Sequence, residues 1–175
     1  EISCTIARPC RAGKTSARTC KKRNLGMKVL AFMMAIFGFV FFTSLAYAAD
    51  TTIDMLNKDA DGNKMVYSTE LAKVAVGDTI TWLPASKGHN VEFVSGPEGF
   101  EIPKKSKLGK EYSFTFETPG VYLYVCSPHK TMGMIGLVVV GEDTTNIDEI
   151  AKAKVRGKSK KKLKHLLHEL EGHNH

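Results

Sequence analysis

The chain reads as an all-β sandwich followed by a C-terminal helical hairpin, and three observations predict this. Between residues 51 and 140, short strand-like runs are separated by turn signals. Within those runs apolar and polar side chains alternate at the period of two that marks a half-buried strand. After Gly141 the apolar residues recur at helical spacing instead.

The elements follow in order. Thr52-Ile53-Asp54-Met55-Leu56 is the first strand, ended by the turn Asp59-Ala60-Asp61-Gly62-Asn63, rich in residues that bond their own backbone or adopt positive φ. Val74, Val76, Ile80 and Trp82 fall at even spacing around a bend at Gly77-Asp78. A Lys87-Gly88 bend leads into a strand from Asn90 to Phe93. Tyr112, Phe114 and Phe116 alternate with Ser113, Thr115 and Glu117, and Thr118-Pro119-Gly120 turns the chain into a strand from Val121 to Cys126. Leu137 to Val140 is an unbroken apolar run, suited to a strand buried on both faces. Six or more short strands without an internal repeat predict a sandwich. Thr145-Asn146-Ile147-Asp148 then opens a helix through Ile150 and Val155, with a cap residue and early acids. Gly157 interrupts it, and Leu163, Leu166, Leu167 and Leu170 define a second helix packed on the sandwich. The run Lys158 to Lys164 is expected to be its solvated face rather than a docking site. His165, His168, His173 and His175 are read as a polar helix face and frayed terminus, not a metal site.

The formal charge of +7 would ordinarily point to nucleic acid or an anionic membrane. Its location removes that reading. Residues 1–48 carry eight basic side chains against one acid, Glu1, so the whole excess lies there and residues 49–175 are formally neutral. No nucleic-acid partner is expected. The leader has the form of a secretory signal: Lys21, Lys22, Arg23 and Lys28 precede an apolar run from Val29 to Phe42, closed by Ala46-Tyr47-Ala48. The competing reading, a retained anchor from Val29 to Ala49, lacks that use for the small-residue site. The expected organisation is residues 1–26 as untranslated read-through or extended leader, 27–48 as signal peptide, 49–141 as the sandwich domain, and 142–175 as a helical Lys/His-rich extension. Cleavage after Ala48 would leave a periplasmic protein without stable membrane association, and no long exposed apolar stripe argues against a monomer.

Cys4, Cys10 and Cys20 precede the cut, so the exported chain keeps one cysteine, Cys126. One thiol cannot form a disulfide framework, and in an oxidising compartment it needs burial or a bound partner. The segment Cys126-Ser127-Pro128-His129-Lys130-Thr131-Met132-Gly133-Met134 brings a thiol, an imidazole and two thioethers onto one loop between strands. His89 is the one other histidine before the tail. Two imidazoles and a thiolate in a plane, with a weak thioether above it, form a blue-copper site of type 1, acceptable to both Cu(II) and Cu(I). Zinc would more often take carboxylates or further cysteines. The residues predict one copper ion on His89, Cys126, His129 and either Met132 or Met134.

The loop resembles that of the pseudoazurins, small periplasmic cupredoxins, in its C-x2-H-x4-M spacing and almost residue for residue from Cys126 to Gly136. Lys87-Gly88-His89-Asn90-Val91-Glu92, Met55-Leu56-Asn57-Lys58 and Asn146-Ile147-Asp148-Glu149-Ile150 extend the resemblance over nearly all of residues 51–155, whereas Lys158 to His175 departs from it. It implies a cupredoxin-like Greek-key sandwich of about eight strands with two C-terminal helices, and His89, Cys126, His129 and Met134 as the ligands. Amicyanins use C-x2-H-x2-M, which would select Met132. The run Gly133-Met134-Ile135-Gly136 favours Met134, with Met132 as a packed neighbour. The resemblance also implies Met65 packing near His129.

Around the metal, Asn90 and Ser127 each follow a ligand, and a hydrogen bond between them would tie the two loops together. Pro128 has no N–H to offer the Cys126 sulfur. The expected activity is one-electron transfer by Cu(II)/Cu(I) cycling, with the His129 ring edge as the electron port. Lys87, Lys104, Lys105, Lys107, Lys110 and Lys130 are expected to ring it and to suit an acidic partner. The resemblance implies denitrification reductases such as copper nitrite reductase, or a c-type cytochrome. The protein is not expected to be an enzyme, because residues 49–157 hold no histidines for a second copper site. A copper delivery or storage protein is the alternative, using the same ligands at an open, exchangeable site.

Overall fold

The computed structural model describes residues 50–172. The leader, its cleavage site, His173 and His175 lie outside the described residues. Eight strands form two four-stranded sheets: β1 (Asp50–Lys58), β2 (Lys64–Tyr67), β3 (Leu71–Val74), β4 (Thr79–Leu83), β5 (Glu92–Ser95), β6 (Tyr112–Thr115), β7 (Gly120–Val125) and β8 (Ile135–Val140). The order is β2-β1-β4-β6 in one sheet and β3-β8-β7-β5 in the other. Pairing is antiparallel except for β1 with β4 and β3 with β8, which are parallel. Two helices follow, α1 (Ile147–Ala151) and α2 (Lys158–Gly172). Among the described residues no helix is long and apolar enough to cross a membrane.

Two apolar layers hold this together. Between the sheets, Trp82 makes ring contacts with Phe93, Tyr112, Phe116 and Tyr124, in a cluster that also contains Ile53, Met55, Cys126 and Met134. Aromatic pairs at such separations add to the burial term. The second layer lies between the outer face of the β3-β8-β7-β5 sheet and the helices, where Leu163, Leu166 and Leu170 meet Leu123, Val125, Ile135 and Leu137. Every residue of β7 and β8 is therefore buried. That is why Leu137 to Val140 lacks polar alternation: there is no solvent face for it to report.

Three local expectations are corrected. The strand expected from Asn90 begins at Glu92, because Val91 exchanges hydrogen bonds with Ser106 instead of a sheet neighbour. The first helix ends at Ala151 rather than continuing to Val155. Asn146 precedes it but makes no side-chain cap. Its amide instead accepts from Val121 N at 2.8 Å and donates to Val121 O at 2.8 Å, fastening the helix start to β7. A half-buried tether to the sheet competes for the same side chain that a local cap would use.

Gly136 sits where β8 passes the Tyr124 ring, and a Cβ there would lie 2.4 Å from Tyr124 Oη. Tyr124 is itself fixed between Tyr67 and Trp82. Gly136→Ala should therefore destabilise the fold by about 1–3 kcal/mol through overpacking, read as a lowered urea midpoint with unchanged m-value.

Candidate metal centre

The centre begins with strand register. The last pair of the β7–β8 ladder is Val125 with Ile135. One step further Cys126 N donates to Met134 O at 3.0 Å. Residues opposite one another in an antiparallel ladder share a face. Cys126 and Met134 both face the inter-sheet core and are fully buried. Between them Ser127–His129 forms one 3-10 turn, with His129 N donating to Cys126 O at 3.0 Å and Met132 N to His129 O at 2.9 Å. Pro128 suits the start of such a turn, where its missing N–H costs nothing. The turn folds His129 back until Nδ1 lies 3.4 Å from Cys126 Sγ. Gly133, at φ 105°, returns the chain to β8, a conformation that favours glycine.

His89 arrives from the connection between β4 and β5. Its carbonyl accepts from Gly109 N at 2.8 Å, and its ring is fully buried. Nε2 lies 2.8 Å from Asn57 Oδ1, an acceptor, which assigns the ring proton to Nε2. Nδ1 is then the unprotonated nitrogen, and it lies 3.7 Å from Cys126 Sγ. The two imidazoles stand with centroids 4.8 Å apart, tilted by 54°. The donor atoms of His89, Cys126 and His129 all lie within 4.8 Å of one another.

Burial pushes the Cys126 thiol up, against the smaller opposing pull of the Asn90 and His129 backbone N–H groups. Burial also lowers His89, and the nearby charge of His129 adds to that. The pocket thus keeps one imidazole neutral and ready to ligate, while it holds the thiol proton until a cation replaces it.

The surrounding bonds are reciprocal. Asn90 Nδ2 donates to Ser127 Oγ at 2.9 Å, and Ser127 N donates to Asn90 Oδ1 at 2.9 Å. Ser127 Oγ in turn donates to Glu92 Oε2 at 2.7 Å. Both ligand-bearing loops are therefore tied to each other and to β5. Met65 packs against the cluster containing Cys126 and Met134, with φ at 55°. Met132 is 45% exposed, and not the packed neighbour expected; it sits in the turn that follows His129, while Met134 enters the core opposite Cys126. Pro128 and all six lysines are exposed. Lys104, Lys105, Lys107 and Lys130 line one groove with Ser127, Pro128 and Leu108, whereas Lys87 and Lys110 are outside its lining.

Sequence reasoning gave Asn57 no role at the site, although Met55-Leu56-Asn57-Lys58 stood out in it. A polar residue near a strand end carries no sign of a partner 32 residues away. The pairing of β1 beside β4 creates that contact. Glu92 and Ser106 were missed for the same reason.

A thiol, two imidazoles and a buried thioether, with no carboxylate in the cluster, fit copper better than a hard cation or structural zinc. The sequence pattern of copper-binding proteins of the plastocyanin/azurin family matches residues 54–141. A pseudoazurin of Paracoccus pantotrophus is 39% identical over 119 residues, covering 67% of this chain and 81% of that protein. A pseudoazurin of Methylorubrum extorquens is 41% identical over 109 residues, 61% of this chain and 72% of its own. The crystal structure of native pseudoazurin from Hyphomicrobium denitrificans superposes with a TM-score of 0.65 at 40% identity, over 69% of this chain and 98% of that one. With its two four-stranded sheets and its cluster of soft donors at one end of them, the chain belongs to the plastocyanin/azurin family of copper-binding proteins, and pseudoazurins are among its relatives.

Proposed function

We propose that this blue-copper electron-transfer protein holds one type 1 copper on His89, Cys126, His129 and Met134, and that it works in the periplasm after loss of residues 1–48. One observation carries the ligand assignment: the thiol of Cys126 and both imidazoles lie within 4.8 Å of one another, beside a buried Met134. Copper bound there would supply one-electron chemistry between Cu(II) and Cu(I).

The chain's own residues then have distinct tasks. Cys126 gives up its proton on metal binding. Asn57 holds the His89 ring so that Nδ1 faces the thiol. The Asn90–Ser127–Glu92 bonds keep both loops in one arrangement, so that little has to move when the charge of the centre changes. Of the two imidazoles, His89 is buried and His129 is partly exposed, which makes the His129 edge the port for the electron. Full burial of His89, Cys126 and Met134 favours a carrier over a delivery protein, whose site must open to exchange its metal.

The groove of Lys104, Lys105, Lys107 and Lys130 beside Pro128 and the 59% exposed Leu108 supports docking of an acidic redox partner, a copper nitrite reductase or a c-type cytochrome. Lysines around an apolar centre speed encounter without a lasting complex.

Three outcomes are expected. The exported protein loaded with Cu(II) should show an intense thiolate-to-copper absorption that bleaches with ascorbate and returns on reoxidation; Cys126→Ser should lack it. A colourless protein would remove the ligand assignment. Asn57→Leu should lower copper affinity about 10- to 100-fold in a competition titration, because the orienting bond to His89 is lost. Lys104→Glu combined with Lys107→Glu and Lys130→Glu should slow electron transfer to an acidic partner by about tenfold or more at low salt, and the difference should fade as salt is raised.

A further inference from the structure

The C-terminal segment from Gly157 to Lys162 lies directly against the loop that carries His129 and Met134. Lys158 N donates to Thr131 O at 2.9 Å, and the buried hydroxyl of Ser159 donates to Lys130 O. These carbonyls belong to the two residues that follow His129. Gly157, at φ 63°, comes so near that a Cβ on it would lie 2.4 Å from Thr131 O. Lys158 Cβ lies 3.6 Å from where a Cβ on Gly133 would stand, so the same segment also lies against Gly133.

We propose that Ser159 and the Lys158 N–H are positioning groups for the metal loop, and that α2 acts as an external clasp on it. The physical basis is the first turn of a helix, whose N–H groups have no partner within the helix. Here one of those donors and a side-chain hydroxyl are supplied to carbonyls of the loop. Its own interior offers them nothing: the 3-10 turn uses the bonds from His129 N and Met132 N. The clasp is anchored to rigid structure by Leu163, Leu166 and Leu170 against the β3-β8-β7-β5 sheet, and by the Lys162–Glu70 ion pair just before β3. Bonds from the Asn90 side fix the loop at Ser127, and the clasp fixes it at Lys130 and Thr131, so His129 is held from both flanks.

This inference rests on the ligand reading above, and the test separates the two. Full-length chain is compared with Ser159→Ala, with Ser159→Thr, which keeps the hydroxyl, and with Lys158→Pro, which removes the N–H at a position where proline suits a helix. Leu170→Ala, at the far end of the same helix, controls for lost stability. In copper-free protein, hydrogen exchange at the His129 and Met132 amides, relative to strand amides, should rise several-fold in Ser159→Ala and Lys158→Pro. With copper, both should lose the metal to a Cu(I) chelator several-fold faster and show an altered ratio of thiolate-to-copper bands. Ser159→Thr should return to the parent values, and Leu170→Ala should lower the melting temperature without either loop-specific change. Parent-like loop exchange, copper loss and band ratio in Ser159→Ala and Lys158→Pro would overturn the proposal. So would the same changes in Leu170→Ala at equal loss of stability, or failure of threonine to restore them. If the thiolate band never forms, the ligand reading fails alone, since amide exchange without copper still reads the clasp.

Discussion

The ladder between β7 and β8 constrains everything at the metal end of the molecule. Its final pair, Val125 with Ile135, forces Cys126 and Met134 to be opposite one another and on the core side. A slip of β8 by one residue would turn Met134 toward the helices and bring Ile135 into the inter-sheet layer, while Cys126 still faced the core. The intervening loop would then close around a different pair of side chains. Because both faces of these strands are buried, such a slip exposes no polar group to solvent, and the pattern of polarity cannot forbid it. The large side chains Tyr122, Tyr124 and Trp82 on one face and the leucines on the other do so through shape.

From that ladder the rest of the centre follows as a sequence of attachments. The Ser127–His129 turn is closed by two backbone bonds and crossed by the Asn90–Ser127 pair, which brings His89 and His129 to one side of the thiol. Asn57 reaches His89 because β1 runs parallel to β4, the strand whose outgoing connection carries the imidazole. Each donor is oriented by a bond that depends on a different part of the fold. Such a site resists rearrangement, and for an electron carrier that lowers the cost of changing oxidation state.

The helical extension changes how rigidity is distributed. In a two-layer sandwich the outer face of the β3-β8-β7-β5 sheet would be wet and its loops would end in solvent. Here Leu163, Leu166 and Leu170 cover that face, and the start of α2 lies on the ligand loop. A basic stretch that looks like a plain solvated face therefore has an inward side as well. Ser159 is buried, and Lys162 is paired with Glu70, while its neighbours Lys160, Lys161 and Lys164 remain exposed.

The strands with alternating patterns, such as Tyr112 to Phe116, were legible because one face meets water and composition records it. The donor types were legible for a similar reason: a lone thiol, two histidines and a methionine leave few chemistries that use all four. The loop spacing in Cys126 to Met134 even limits which residues meet, since nine residues between paired strands have little freedom. Choosing between Met132 and Met134 needed more than residue types, because both are thioethers two residues apart, and the loop turns expose Met132 while the β7–β8 register buries Met134. Asn57, Ser106 and Glu92 were silent for a different reason. Their partners are distant in the chain, and a polar side chain carries no mark of which distant group it will meet. Asn146 illustrates the limit most clearly: its local setting spells a helix cap, and its actual partner is the backbone of Val121. The sequence by itself determined the element types, the donor chemistry and the approximate loop. Tertiary structure decided the register, the orientation of each donor and the hold of α2 on the loop, because those depend on contacts between segments whose separation in the chain no local pattern encodes.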